Sequence, residues 1–227
     1  MEINADFTAP ASAHTGQMDW IPSPMAGVDR RMLDRVGGEV ARATSIVRYA
    51  ANSAFSEHTH NGGEEFIVLE GTFQDEHGDY PAGTYVRNPV GTHHVPRSEP
   101  GCTIFVKLWQ FDPQDQEQIA LDLNSLALVP DPERPDVRRA ILAARDYEQV
   151  SIEEWGENNS FDLNEDGGFE ILLLEGALML DGATFTRHDW IRWPGGRTAG
   201  FETGEAGARL WIKRGHLSSI RLPEQVA

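Results

Sequence analysis

Three histidines and one glutamate carry the chemistry that this sequence is equipped to do. His58 and His60 stand two apart in Phe55-Ser56-Glu57-His58-Thr59-His60-Asn61-Gly62-Gly63-Glu64-Glu65. On an extended strand alternate side chains share a face, so both imidazoles point one way while Thr59 points the other. The Gly62-Gly63 pair permits a tight turn, after which Glu64 rejoins that face and Glu65 takes the opposite one. Further on, Pro89 and Gly91 in Gly83-x5-Pro89-x-Gly91-x2-His94 make a turn that feeds His94 into a neighbouring strand as a fourth donor. Three imidazoles and a carboxylate suit one divalent ion of borderline character, Zn(II), Fe(II), Mn(II), Ni(II) or Cu(II), with positions left for water or substrate if coordination is octahedral. Neutral His and ionised Glu would leave that ion a net charge of about +1. Such a centre can polarise a bound oxygen, activate water or bind O2, so the donor set alone leaves the reaction open.

The elements that must hold these residues read as strands. Short β-rich runs at residues 44–49, 65–70, 85–87 and 103–109 lie between scattered turn formers, 22 Gly and 13 Pro, and predict a β-sandwich or barrel. The opening segment through about residue 35 is rich in Pro, Ala and Asp with no helical pattern, and Trp20-Ile21-Pro22-Ser23-Pro24 reads as an extended stretch along a sheet edge. Residues near 60–95 recur near 165–200 in a register of 105. In it Gly62, Gly63, Glu65, Leu69, Glu70, Gly71, Arg87, Pro89 and Gly91 fall on Gly167, Gly168, Glu170, Leu174, Glu175, Gly176, Arg192, Pro194 and Gly196. Chance would supply about two or three identities over such a window, so two copies of one β-domain are expected. The boundaries read as residues 1–115 for the first copy with an extended arm, 116–149 for a linker, and 150–227 for the second copy. Within the join, 121–129 has strand character, and 136–146 reads equally as helix or strand.

The spacing H-x-H-x3-E-x6-G, followed by G-x5-P-x-G-x2-H, resembles the double signature of the cupin superfamily at every named position. The resemblance implies a small jelly-roll barrel (a double-stranded β-helix) with the ion inside its mouth. The chain is therefore expected to be all-β, with two tandem cupin barrels, a bicupin. Over residues 18–115 it more closely resembles the ChrR-like cupins. The residues that carry this are Trp20-x-Pro22-x-Pro24, Ala43-Thr44-Ser45-Ile46-Val47-Arg48-Tyr49, His58-x-His60-x-Gly62-Gly63-Glu64-Glu65, Asp75 through Pro89, and Phe105-Val106-Lys107-Leu108-Trp109. That family takes its name from the cupin half of a bacterial zinc anti-sigma factor, whose separate helical module binds zinc through a His and two Cys and sequesters the sigma factor. The present sequence has no such helix-rich segment and a single cysteine, Cys102. The resemblance thus implies one Zn, Fe, Mn or Ni ion on His58, His60, Glu64 and His94. One implied activity is dioxygenase-like, on a small oxygen-rich molecule, with Glu64 tuning the charge or taking a proton. The alternative is a regulatory cupin that binds a ligand and a sigma factor.

Charge and composition bound the partners. Nineteen Lys and Arg against 36 Asp and Glu give a formal charge of -17, which repels phosphate backbones and argues against nucleic acid. No apolar run approaches membrane-spanning length and the start lacks a secretory pattern, so a cytoplasmic protein is expected, with a homodimer through sheet edges. In the repeat register His58, His60, Glu64 and His94 fall on Leu163, Glu165, Phe169 and Ala199, so the second barrel is expected to be structural, without metal ligands. His93, of opposite parity to His94, should face outward; His77 and Asp79 belong to a polar turn; His14, His188 and His216 read as surface residues. Cys102 reads as a small buried residue, and Glu70 and Glu175 as turn or edge positions. Tyr49, Phe66, Tyr85, Phe105 and Trp109 are expected inside the barrel. Arg87 recurs as Arg192 in the copy without ligands, which argues against a substrate role.

Overall fold

Apolar and β-branched residues at period two lay down antiparallel strands along the whole sequence, and no α-helix forms among the described residues. The computed structural model describes residues 1–38 and 40–223; the last positions expected in the second domain, 224–227, lie outside the described residues. Among the described residues no helix is long and apolar enough to cross a membrane. Two units are present. One comprises Met1–Ala5, Asp19–Ser125 and residues 221–223; the other comprises Asp6–Met18 and Leu126–Ile220.

In the first unit the strands run Glu2–Ile3, Val28–Gly37, Ala41–Tyr49, Cys102–Leu108, Glu64–Gln74, Thr84–Asn88, Ile119–Asp122 across the sheet. In the second the order is Val129–Pro130, Val137–Arg145, Glu148–Trp155, Ala199–Arg214, Phe169–Leu180, Trp190–Trp193, Ala11–Ala13. Place by place the two orders are the same, as the 105-residue register requires. Only the origin of the last strand differs: it follows the first barrel in sequence, whereas for the second barrel it comes from the opening arm. The domain boundaries therefore differ from those expected. Segment 116–149 carries Ile119–Asp122, which pairs with Thr84–Asn88, and Val137–Arg145, which pairs with Glu148–Trp155; residues 11–13 pair with Trp190–Trp193. In both units the added strand satisfies backbone groups that an open edge would leave exposed. The segment that read equally as helix or strand is thus a strand. Ile21–Pro22 pairs with Val28–Gly37, placing the Trp20–Pro24 stretch at a sheet edge.

The two faces of the first sheet have different contents. Tyr49, Phe66, Phe73, Cys102, Ile104 and Val106 pack together inside the barrel, and burial pushes the Cys102 thiol up to about 11. Tyr85 and Phe105, expected inside, lie on the opposite face: Val86 is the residue that stands opposite Phe66, so its neighbour Tyr85 has the other parity and shares its face with Glu65 and Arg87. That face is polar as well as buried. Glu65, Arg87 and Lys107 are each at most 1% exposed, as are their counterparts Glu170, Arg192 and Lys213. Such charges persist in a protein only when satisfied. Tyr85 Oη donates to Glu65 Oε1 at 2.5 Å, Arg87 Nη2 to Asp115 Oδ2 at 2.8 Å, and in the second unit Trp190 Nε1 donates to Glu170 Oε1 at 2.6 Å. His216, read from sequence as a surface residue, is buried and lies 3.1 Å from Glu170 Oε2; His14 likewise pairs with Asp189 at 3.1 Å and stacks on Phe185. Partners this far away in sequence leave no local pattern.

A shared irregularity explains the recurring Glu-Gly pair. The pairing slips by one residue at Leu69 and again at Leu174, a β-bulge in each copy. Gly71 and Gly176 follow at φ 71° and 79°, where an added Cβ would come within 2.0 and 2.1 Å of the carbonyl oxygens of Gly101 and Gly207. Gly71→Ala and Gly176→Ala are each expected to lower unfolding free energy by about 2 kcal/mol or more in denaturant titrations; a loss below about 0.5 kcal/mol would contradict this account of the bulge.

Inside the second barrel, Glu153 accepts from Arg134 Nη2 at 3.0 Å, lies 2.8 Å from Arg214 Nη1, and accepts from Trp155 Nε1 at 2.8 Å. Burial pushes the Glu153 carboxyl up, but Arg214 and Arg134 outweigh it and hold it at about 2, below its ordinary 4.5. A depressed carboxyl contributes stability above its unfolded value and loses it as pH falls through its folded one, here about 3 kcal/mol lost between about pH 5 and pH 2. Arg134→Met should move the acid-unfolding midpoint of this unit to higher pH, followed by tryptophan emission; an unchanged midpoint would show that the pair contributes nothing.

Candidate metal centre

The ligand-type residues come from two very short strands and one long one. His58–Thr59 pairs with His93–His94, with His58 opposite His94 and Thr59 opposite His93. This is the parity expected: His94 is buried and His93 exposed. Glu64 opens the strand Glu64–Gln74, standing opposite Asn88 on one side and Leu108 on the other. The turn between them is pinned by His60 N–H donating to Thr92 O at 2.8 Å and Gly91 N–H to His60 O at 3.0 Å. Gly63 sits at φ 75°, and a Cβ there would come within 2.4 Å of the Phe111 ring, so the chain can reverse here only with glycine.

The fold brings all four expected residues together. Their ligand atoms lie within 4.8 Å of one another, a grouping that could hold a metal ion. His60 Nε2 is 3.2 Å from His94 Nε2 and 3.4 Å from Glu64 Oε1, and His94 Nε2 is 3.6 Å from that oxygen. The three rings stand at 75° to 79° to one another, with centroids 4.6 to 5.2 Å apart.

Each ring's outer nitrogen meets an atom that can only accept. His58 Nδ1 faces the Ser56 carbonyl at 3.3 Å, and His94 Nδ1 faces Asp75 Oδ2 at 3.3 Å. His60 Nδ1 lies 2.9 Å from Thr92 Oγ1, whose own proton is given to Pro89 O at 2.7 Å. These partners favour the Nδ1–H tautomer in all three imidazoles, which leaves each Nε2 lone pair free, and the Nε2 atoms of His60 and His94 face each other and Glu64 Oε1 within 3.6 Å. Electron pairs at such distances repel unless a proton or a cation stands among them. Burial is the largest influence on His60 and keeps its imidazole below the ordinary value. Burial also opposes charge on His94, but Asp75 and Glu64 outweigh it and raise its value. The donor set fits a divalent ion: nitrogen and oxygen atoms, one negative charge, and an outer hydrogen bond on every ring.

Asp75, Thr92, Asn88 and Gln118 support this group and were not singled out from sequence. Asp75 Oδ1 accepts the N–H groups of His77 and Gly78 at 2.8 and 3.1 Å; these bonds and His94 outweigh burial and hold its carboxyl low, so it remains a carboxylate toward His94. Asn88 Nδ2 donates to Glu64 Oε1 at 3.3 Å, and Gln118 Nε2 donates to Asn88 Oδ1 at 3.1 Å. His77 and Asp79 stay in the exposed turn, as expected.

A cavity of about 390 Å³ opens beside the cluster, lined by His58, His60 and Glu64 together with Tyr49, Leu108 and Trp109. In the second unit the corresponding places are filled differently. Leu163 pairs with Ala199 as His58 pairs with His94, and with Phe169 they join the apolar core, while Glu165 accepts from Arg214 Nε at 2.9 Å.

Residues 8–112 match the ChrR Cupin-like domain family. Among solved structures, the chain is similar to a candidate dioxygenase from Nostoc punctiforme (14% identity, 100% of this chain and 87% of that one, TM-score 0.73). It is also similar to protein Ylba from E. coli (13% identity, 93% of each chain, TM-score 0.68). A third likeness is to an oxalate decarboxylase from Lactobacillus farciminis in a formate complex (9% identity, 90% and 86%, TM-score 0.62). At these identities the likeness is one of fold. No curated protein matches the sequence.

If Asp75 fixes the His94 tautomer, Asp75→Asn should hold Zn(II) about 10- to 100-fold more weakly in chelator competition, while circular dichroism is unchanged. Wild-type affinity in that variant would mean that the carboxylate does not orient the ring.

Proposed function

We propose, from the match of residues 8–112 to the ChrR Cupin-like domain family, that the first barrel holds one divalent metal ion on His58, His60, Glu64 and His94 and acts there on a small oxygen-bearing organic molecule, in the manner of a non-haem dioxygenase. The observation that carries this reading is the grouping of one ligand atom from each of three histidines and Glu64, all within 4.8 Å of one another, beside a cavity lined by His58, His60 and Glu64. Zinc, iron, manganese and nickel all accept this donor set. When bound, such an ion supplies Lewis-acid polarisation of a substrate oxygen and, for iron or manganese, a meeting point for substrate and O2.

The protein's own side chains do the rest. Glu64, held by Asn88, offsets the ion's charge and is placed to take a proton from a substrate whose C–H is acidified beside a carbonyl. Tyr49 lines the cavity, and burial, reinforced by Glu64, pushes its hydroxyl well above the ordinary phenol value. It therefore stays protonated and offers a hydrogen bond to a substrate oxygen. Val47, Ile104, Val106 and Leu108 keep the remaining wall apolar, which limits water beside the reacting atoms. Diketones, catechols and hydroxy-ketones present the paired oxygens this arrangement suits.

Protein purified without added metal should contain close to one ion per chain by elemental analysis, and a His58→Ala, His60→Ala double variant should contain almost none. Full occupancy in that variant would contradict the assignment. Oxygen uptake by the Fe(II)-loaded protein across those three substrate classes tests the activity, and no uptake with any of them would count against dioxygenation while leaving metal binding to be judged by the first measurement.

A further inference from the structure

Arg30 lines the same cavity as His58, His60 and Glu64. It stands on Val28–Gly37 opposite Val47, two residues after Val28, and so shares the inward face of a strand whose Val28 packs in the barrel interior. Its Nε is shut off from solvent and has no hydrogen-bond partner, and among the described residues no carboxylate pairs with its guanidinium.

The neighbouring arginines are accounted for. Arg31 and Arg48 lie over the Trp20 ring at 4.1 and 4.4 Å, Arg48 also pairs with Asp29 at 2.7 Å, and Arg35 donates to Gly38 O. The positive potential around Arg30 is felt nearby, where burial and then the Arg30 charge depress the Arg35 guanidinium. In a chain with 36 acidic residues against 19 basic ones, a half-buried guanidinium that faces this cavity without a carboxylate is an exception, because even partial desolvation of an unpaired charge is costly. A bound carboxylate, accepting two parallel N–H bonds, would satisfy it, whereas a neutral molecule would leave it unpaired among apolar walls.

We infer that Arg30 is a specificity-determining residue and that the molecule taken by this cavity carries a carboxylate in addition to the oxygens presented to the histidine cluster. The inference rests on the metal-binding reading for the oxygens and on Arg30 alone for the carboxylate.

Two probes that share a β-diketone and differ by a terminal carboxylate, 4,6-dioxoheptanoate and heptane-2,4-dione, separate these contributions by calorimetric titration of the Zn(II)-loaded protein. Wild type should bind the carboxylate probe at least about tenfold more tightly. In both Arg30→Gln and Arg30→Met that preference should fall to about one, with zinc content, thermal unfolding and affinity for heptane-2,4-dione unchanged. Equal wild-type affinity for the two probes, or a preference that survives in both variants, overturns the inference and leaves the metal reading standing. If the protein retains no zinc, the metal reading fails by itself and hexanoate is titrated into the metal-free protein. Binding that is lost in Arg30→Gln and Arg30→Met then supports Arg30; binding unaffected by them, or absent from wild type, overturns it.

Discussion

Three imidazole lone pairs and a carboxylate oxygen cannot share one small volume without positive charge between them, and much of the first barrel is organised around that constraint. The Ser56 carbonyl, the Thr92 hydroxyl and the Asp75 carboxylate each take an Nδ1 proton, leaving every Nε2 bare toward the same point. Asp75 is in turn held by two backbone N–H groups, and Thr92 is committed to Pro89. The geometry is over-determined from outside the cluster, so the ring orientations do not depend on the ion that would complete it. Such preorganisation is what a site needs if binding energy is to go to the reacting molecule rather than to ordering its ligands.

The second barrel shows what the fold requires without that constraint. The same strand order, the same bulge before a glycine and the same buried Glu, Arg and Lys recur. Where the first barrel converges electron pairs, the second packs Leu163, Phe169 and Ala199, and it ties Glu165 to Arg214. The barrel is thus a frame that tolerates either filling, and the polar cluster of the first copy is a departure from apolar packing whose cost a bound cation would offset. Arg30 belongs to the same class of departure, being a cation turned inward where its strand neighbours find partners on other faces.

What the sequence reveals follows from how local each signal is. His58 and His60 are readable because a two-residue spacing has one meaning on a strand, and Glu64 because a glycine pair marks the reversal that returns it to their face. The repeat register reveals two copies of one β-domain and places Leu163, Glu165, Phe169 and Ala199 where the first copy has its four ligand-type residues. Residues whose meaning depends on distant pairing were not legible. Asp75 sits in what reads as an ordinary polar hairpin, 19 positions from the ring it orients, and His216 finds Glu170 from 46 positions away. Tyr85 and Phe105 read as interior on aromatic character alone, yet strand parity turns Tyr85 away from the face that its neighbour Val86 shares with Phe66. The strand at residues 11–13 pairs with Trp190–Trp193 across most of the chain, which no boundary drawn from composition could anticipate.

That the three ring protons sit on Nδ1 is read directly by long-range proton–nitrogen correlation NMR of the histidine rings. With one equivalent of Zn(II) at about pH 8, His58, His60 and His94 should all give the pattern of the Nδ1–H tautomer, and their three Nε2 resonances should have shifted together from the metal-free positions. A proton on Nε2 of His60 or His94 under those conditions, or Nε2 resonances that zinc leaves in place, would contradict it.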